Sequence, residues 1–326
     1  MMDLMRQSNR SKLAVTMLSA LLLFFAASSV WAQERPDPDE LKIVYIAGAR
    51  NNANDPLRLQ TFFSNLYLVA YAGSHSVALV ADDGIVLVDT KGQGLGKAVQ
   101  NKLRLAGDVP VSIIINTSAR GGVANDEFPS AVQVIAHENT KTALTKLNPA
   151  SVPTKTFTDT FSLTVPVAGE PEGTDRIDLY HFGPGHSGGD TIAVFPSYGV
   201  AVFGDLFPGK AIPVIDASNG GSALALPETL QKAWEGLQDK RVDVIIPGRG
   251  EAPYKVVLSW ITIRDLKEYA DFMSDFVDIA KDAQSAGQSI DEAVSSVTTT
   301  IKAKYSGYDF LQARGYVESI YAELVQ

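Results

Sequence analysis

Two motifs near the middle of the chain, HFGPGHSGGD (residues 181–190) and VFGDLF (residues 202–207), carry most of the fold information. Each joins an apolar run to a glycine-rich turn, which predicts two buried strands with neighbouring turns. A histidine and an aspartate at the ends of adjacent strands, His186 and Asp205, can converge on one point. That arrangement is the simplest beginning of a metal or acid–base site, but it equally fits two turn residues that satisfy each other's hydrogen bonds.

The first 32 residues have the pattern of a secretory signal peptide. Arg6, Arg10 and Lys12 precede a mostly apolar run, and the segment ends in Ala32, a small residue that a signal peptidase accepts. Because the apolar run is shorter than the roughly 20 residues that cross a bilayer, we disfavour an N-terminal membrane anchor. We therefore expect the mature chain to be exported to the periplasm, with no membrane span after signal removal.

Composition limits the partners and the possible metal ligands. The net charge of −9 argues against nucleic acid and against anionic membrane surfaces as partners, but it does not select a small-molecule substrate. The chain has no cysteine and only four histidines, so a metal site would have to use histidines and carboxylates. We interpret His75 as a turn residue, His137 as a capping or surface residue, and His181 as a packed residue near the site.

Hydrophobic patterning predicts strands through the first 250 residues and helices after them. The predicted strands are Leu41–Ile46, Leu66–Tyr71, Ser76–Val80, Ile85–Val88, Val111–Ile115, Val132–Ala136, Phe161–Val165, Ile177–Tyr180, Thr191–Phe195, Gly199–Phe203 and Val242–Ile246. Asp82-Asp83-Gly84 predicts a hairpin turn. Helical spacing predicts helices near residues 95–103, 138–147, 227–237, 266–286, from 290 onward, and 310–325.

The order of these elements predicts the architecture. Strands occur first as hairpins and then alternate with helices, which favours two packed sheets with helices outside over a doubly wound parallel sheet. We predict a signal peptide over residues 1–32, an α/β (α+β) domain over residues 33–250, and C-terminal helices over residues 251–326 that pack on the same domain.

Five stretches of the sequence resemble motifs of the metallo-β-lactamase-fold superfamily. They are residues 76–90, 112–117, 181–190, 203–205 and 245–250, and they follow one another in the family's order. The helical tail also resembles exported members of that superfamily. The resemblance implies a four-layer αββα sandwich with a site at its top, between the two sheets.

The same resemblance implies one or two metal ions, usually zinc, that activate a water for attack on an ester, lactone, lactam, thioester or phosphoester. Of the family's ligand positions, this chain keeps His186 and Asp205. Ser118 and Arg120 stand where the first two histidines are expected, and Arg249 replaces the last one. A catalytic zinc needs three protein ligands and an open position, and a guanidinium repels a divalent cation.

The leading hypothesis is therefore a degenerate metal site in an inactive or atypical hydrolase homologue. Its pocket would contain Ser118, Arg120, Arg249 and Asp89, with Asp89 chiefly structural. It would bind a small ligand, and the two arginines would suit an anionic one. This hypothesis expects no cofactor.

Three alternatives remain open at this stage. The first is a hydrolase of an ester, lactone or lactam that uses zinc or another divalent metal on His186, Asp205 and Glu127; Glu127 equally fits a carboxylate in the first turn of a helix. The second is a Ser118–His186 nucleophile and base pair, for which the sequence offers no nucleophile elbow. The third is a scaffold protein whose C-terminal helices carry a protein contact.

Overall fold

The computed structural model describes residues 56–131, 133–167, 173–249 and 261–325. The predicted signal peptide and the predicted strand Leu41–Ile46 lie outside these residues. All strands and helices given below belong to the described part of the chain, and they form two sheets with helices on both outer faces.

The first sheet has seven strands that lie side by side in chain order. They are β1 (Leu57–Thr61), β2 (Leu66–Tyr71), β3 (Ser74–Val80), β4 (Ile85–Val88), β5 (Val111–Ile115), β6 (Gln133–His137) and β7 (Lys155–Phe157). The strands from β1 to β4 form an antiparallel meander, and those from β4 to β7 are parallel. Asp82-Asp83-Gly84 connects the antiparallel strands β3 and β4, as the sequence predicts.

The second sheet has five strands in the order β12-β11-β10-β9-β8. They are β8 (Thr160–Pro166), β9 (Thr174–Tyr180), β10 (Ile192–Phe195), β11 (Val200–Gly204) and β12 (Val244–Pro247). The strands from β8 to β11 pair antiparallel, and β12 joins β11 in parallel. The glycine-rich turn of residues 181–190 therefore connects two neighbouring strands, β9 and β10, and Asp205 directly follows a third, β11.

Six α-helices cover the outer faces of the sheets. They are α1 (Gly96–Leu103), α2 (Glu138–Leu147), α3 (Leu226–Leu237), α4 (Ile263–Ser285), α5 (Ile290–Lys304) and α6 (Ala313–Leu324). Helix α5 begins with the predicted capping box, in which Ser289 and Glu292 satisfy each other's backbone N–H groups. None of the helices in the described ranges is long and apolar enough to cross a membrane.

Three apolar cores explain how the layers hold together. Side chains such as Leu79, Val88 and Val202 fill the space between the sheets, with contributions from both of them. The outer face of the first sheet packs against α1, and the outer face of the second packs against α3 to α6 in one continuous cluster. The result is a four-layer αββα sandwich whose C-terminal helices share a core with the second sheet, which confirms the predicted fold class.

The structure also contains two strands that the sequence analysis missed. β1 includes the polar residues Arg58 and Gln60, and β7 has only three residues, so neither has the continuous apolar run that marks a buried strand. Each is an edge strand with a single neighbour, where patterning is weaker.

The boundaries of β3 and α6 also differ from the prediction. His75 does not lie in a turn: β3 begins at Ser74, because Ser74 and His75 pair with the end of β2. The His75 N–H also donates to the Gly248 carbonyl. The final helix begins at Ala313 rather than at residue 310.

Candidate functional site

A cavity of about 250 Å³ lies where strands of both sheets end. Its walls come from the start of β3, the segments that follow β4 and β5, and the ends of β11 and β12. The residues that line the cavity include Ser74, His75, Ser76, Asp89, Lys91, Arg120, Asp205 and Arg249. Four of the five predicted site residues with charged side chains are therefore brought together, namely Asp89, Arg120, Asp205 and Arg249.

The floor of this cavity is organised by the buried carboxylate of Asp89. Its Oδ1 accepts a hydrogen bond from the Thr117 backbone N–H at 2.8 Å, and its Oδ2 accepts one from the Thr117 hydroxyl at 2.6 Å. These bonds tie the end of β4 to the end of β5. Burial raises the pKa of the Asp89 carboxyl to about 6, and the Thr117 hydrogen bonds oppose that rise.

The backbone around Asp89 is strained and tightly packed. Asp89 and Lys91 both have positive φ angles, 63° and 71°, a region that costs a side chain with a Cβ about 1–3 kcal/mol. A Cβ on Gly121 would lie 2.0 Å from Asp89 Oδ1, and one on Gly204 would lie 2.0 Å from the Thr117 hydroxyl oxygen. Glycine at both positions therefore allows the two sheets to close around the Asp89–Thr117 pair.

Lys91 is a buried amine that lines the cavity. Its side chain is 7% exposed, and its Nζ lies 3.4 Å from the Ser74 hydroxyl, to which it donates. Burial lowers the pKa of the Lys91 amine to about 7, while the carboxylates of Asp89 and Asp205 oppose the shift. At neutral pH a substantial fraction of this lysine is therefore uncharged.

His75 and Ser76 bring two buried polar atoms without partners to the same wall. His75 Nδ1 lies 2.9 Å from the Pro247 carbonyl, to which it can only donate, so Nε2 is the acceptor of the neutral ring. Within the part of the chain that the structure describes, neither His75 Nε2 nor the Ser76 hydroxyl has a hydrogen-bond partner. Burial lowers the pKa of His75, which keeps the ring neutral.

The two arginines differ in how they are held. Arg249 Nε donates to Asp205 Oδ1 at 2.9 Å, and half of the Arg249 side chain is exposed. Arg120 is exposed at the start of a short 3-10 turn that ends at Gly122. The Gly121 carbonyl of that turn accepts bonds from the N–H and the hydroxyl of Thr90, which fixes the turn to the segment carrying Lys91.

His186 lies on the other side of the Asp205–Arg249 pair, in a second cavity of about 220 Å³. Its Nδ1 lies 2.7 Å from the Val214 carbonyl, so the neutral ring carries its proton there. His186 Nε2 is buried, lacks a hydrogen-bond partner and lies 3.8 Å from Asp205 Oδ2. The structure thus brings together the histidine and the aspartate that the two motifs supply.

These donors do not fit a catalytic zinc centre. His186 Nε2 and Asp205 supply two ligands, and within the described ranges no group of three or more histidine, aspartate and glutamate residues could hold a metal ion. A catalytic zinc uses three protein ligands. Asp205 is moreover already paired with the Arg249 guanidinium, and such fixed positive charge opposes a divalent cation.

Two predicted site residues have structural contacts of their own. Glu127 accepts hydrogen bonds from the N–H groups of Gly94 and Gly96 at 2.5 and 2.6 Å, so its carboxylate caps the start of α1. It lies in a 3-10 turn rather than in the first turn of an α-helix. Ser118 is buried, and its hydroxyl accepts a long bond from the Gly121 N–H at 3.4 Å. Among the described residues, neither of these side chains forms a hydrogen bond with His186.

The remaining histidines form a separate pair. The rings of His137 and His181 stack with their centroids 4.0 Å apart, and His137 caps α2 by accepting from the Asn139 N–H. His181 Nδ1 lies 2.8 Å from the Asp190 carbonyl. Both residues are therefore held by packing and backbone contacts, as the sequence analysis expects for a capping and a packed histidine.

Sequence reasoning missed Lys91, His75 and Ser76 as site residues. A lysine after a predicted strand normally lies in solvent, and nothing local marks it as buried. The sequence signal that could have indicated its burial is its position two residues after Asp89, which follows a buried strand. The roles of His75 and Ser76 depend on the docking of residues 247–249 against the start of β3, which is a contact distant in sequence.

The lowered pKa of Lys91 predicts how stability depends on pH. Between pH 7 and pH 9 the unfolded chain binds more protons at this residue than the folded chain, so the free energy of unfolding should rise with pH. The limiting slope is about 1.4 kcal/mol per pH unit. The groups that share its surroundings are Asp89, Asp205, His75, Arg120 and Arg249.

Urea unfolding of wild type, Lys91→Met and the exposed control Lys97→Met across this pH range measures the effect. Lys91→Met should lose the rise, and Lys97→Met should keep it. An equal slope in Lys91→Met would contradict the assignment. Asp89 contributes in a separate pH range. Because its pKa is raised to about 6, the free energy of unfolding should fall as the pH rises from about 4 to 6, which does not overlap the range measured for Lys91.

Comparison with known proteins gives a result only at the level of structure. No family model and no curated protein sequence matches the chain. A metallo-beta-lactamase from Pontibacter korlensis is 17% identical over 67% of this chain and 99% of that chain, with a TM-score of 0.52. The stereoselective inverting sec-alkylsulfatase Pisa1 from Pseudomonas sp. is 14% identical over 81% of this chain and 50% of that chain, with a TM-score of 0.57.

These alignments cover two thirds or more of the chain, but at such identities they concern the fold alone. The chain covers nearly all of the metallo-beta-lactamase and half of the alkylsulfatase. The fold implied by the five sequence stretches is thereby confirmed: the chain has the metallo-β-lactamase fold.

Proposed function

We propose that this chain is an exported protein that binds a small anionic ligand in the 250 Å³ cavity and needs no metal to do so. Arg120 and Arg249 hold the anion. The observation that carries this proposal is the Arg249–Asp205 ion pair at 2.9 Å, which stands at a family metal-ligand position and neutralises the aspartate.

The charged side chains around the cavity favour the binding of an anionic ligand. Arg120 and Arg249 are permanently charged and share the cavity with two carboxylates, Asp89 and Asp205, while the amine of Lys91 is partly neutral at pH 7. Asp89 is saturated by Thr117 and Asp205 is paired with Arg249, so both carboxylates are already engaged. Arg120 has no carboxylate partner within the described ranges, which leaves its guanidinium available to a ligand.

The geometry of the arginines also supports this function. A guanidinium has five N–H donors in a planar fork, and Arg249 uses Nε for Asp205, which leaves its terminal nitrogens for a carboxylate, sulfate or phosphate. The two residues come from different loops and line one cavity. A ligand held between them would be recognised by its charge and by the bidentate geometry of its oxygens.

A second candidate function is a hydrolase with one metal ion, and a single observation favours it. His186 Nε2 is buried without a hydrogen-bond partner and lies 3.8 Å from Asp205 Oδ2. Its third ligand was predicted to be Glu127, whose carboxylate is instead engaged by two N–H groups at the start of α1. This candidate differs from the first by requiring a bound metal and turnover that a chelator abolishes.

Calorimetric titration of the mature protein with sulfate, phosphate and acetate in the presence of EDTA tests the proposed binding. A charge-assisted hydrogen bond contributes about 1.5–3 kcal/mol, so Arg120→Ala or Arg249→Ala should each weaken the best anion about tenfold to a hundredfold. The double variant should show no binding. Arg241→Ala, which removes an exposed arginine at the opposite end of β12, should leave the affinity unchanged.

Two results would overturn the proposal. One is an affinity that stays the same in the double variant, and the other is binding that disappears when EDTA removes metal from the wild-type protein. The second result would favour the metal-dependent candidate.

Export can be tested separately. The positive residues, apolar run and small residue at the end of residues 1–32 support cleavage after Ala32. Expression of the full chain in a Gram-negative host, followed by fractionation and N-terminal sequencing, should yield a periplasmic protein that begins at Gln33. An unprocessed chain that stays in the cytoplasm would contradict export.

A further inference from the structure

The proposed anion site leaves Lys91 unexplained. It is the only lysine within the described ranges that is buried, and it lines the same cavity as both arginines. Its backbone has a positive φ of 71°, an uncommon conformation for a residue with a Cβ. Its Nζ has the Ser74 hydroxyl, at 3.4 Å, as its hydrogen-bond partner. A costly, water-poor placement of an amine is typical of reactive lysines.

Two further buried atoms point toward a ligand at this place. His75 and Ser76 line the cavity, and the buried His75 Nε2 and Ser76 hydroxyl have no hydrogen-bond partner among the described residues. Ser76 is 1% exposed and His75 is 9% exposed. A buried polar group without a partner costs about 1–3 kcal/mol, so a ligand that brings a donor and an acceptor beside Lys91 would remove that cost.

The chemistry of Lys91 selects the kind of ligand. Because burial lowers the pKa of the Lys91 amine to about 7, its neutral form is available near neutral pH, whereas an ordinary lysine is almost wholly protonated there. A neutral amine is a nucleophile toward a carbonyl carbon, whereas an ammonium group is not. The arginines of the same cavity add a preference for negative charge.

We propose that Lys91 forms an imine with an aldehyde or ketone that carries an anionic group. The Nζ lone pair attacks the carbonyl carbon, the carbonyl oxygen takes a proton and the nitrogen loses one, which gives a carbinolamine. Loss of that hydroxyl as water forms the C=N bond. One amine and one carbonyl compound thus yield one imine and one water, with no oxidant or reductant. The anionic group lies on Arg120 and Arg249, and this part of the inference rests on the proposed function.

Reductive trapping with pyruvate tests the imine on the intact mature protein. Sodium cyanoborohydride reduces a C=N bond to a stable secondary amine, and peptide mass spectrometry then locates the adduct. We expect the adduct at Lys91, at least ~100-fold above any exposed lysine. Lys91→Arg should lose it, and the matched control Lys97→Arg should keep it. Because wild type alone reports the position of the adduct, the test stands even if Lys91→Arg folds poorly.

Acetone, a ketone without charge, and lactate, an anion without a ketone, separate this inference from the anion site. If lactate inhibits the trapping of pyruvate only when Arg120 and Arg249 are present, and acetone is trapped weakly, both the imine and the anion site are supported. Arginine-dependent binding of lactate without any adduct at Lys91 overturns the imine and leaves the anion site intact. Equal trapping of acetone and pyruvate at Lys91, unaffected by Arg120→Ala and Arg249→Ala, supports the imine and contradicts the anion site. An adduct spread over exposed lysines overturns the imine.

Discussion

The Asp89 carboxylate and its two hydrogen bonds from Thr117 are the interaction on which the site depends. They join the ends of two parallel strands of the first sheet, and Gly204 of the second sheet packs against the same threonine. A buried carboxylate is costly unless it is hydrogen-bonded, so this position tolerates few substitutes. Because Lys91 follows two residues later with a positive φ, the same interaction holds the amine at the cavity wall.

The site shows how a fold can keep its architecture while its chemistry changes. The cavity lies where strands of both sheets end, and His186 and Asp205 lie at its edge. A metal centre requires neutral or negative ligands, whereas positions 120 and 249 carry positively charged arginines. Asp205 forms an ion pair with the guanidinium of Arg249. The proposed anion site follows from these residues, because function depends on the residues of the site and not on the fold that carries them.

Much of the fold was accessible from the sequence because it depends on local patterns. Apolar runs and glycine-rich turns predicted most strands, and Ser289 with Glu292 predicted the start of α5. The edge strand β1 escaped because its alternation with Arg58 and Gln60 resembles a polar segment. Within the site, the positions of His186 and Asp205 followed from strand ends. The burial of Lys91 and His75, and the capping role of Glu127, depend on contacts between distant segments that no local pattern encodes.

The central claim is that positive side chains have taken the place of metal ligands in this pocket. Elemental analysis of the mature protein, loaded with excess zinc and then desalted, tests it most directly and samples the whole chain. The account predicts far less than one zinc ion per chain, since His186 and Asp205 alone provide too few ligands and Asp205 is held by Arg249. One or two zinc ions bound stoichiometrically would contradict it.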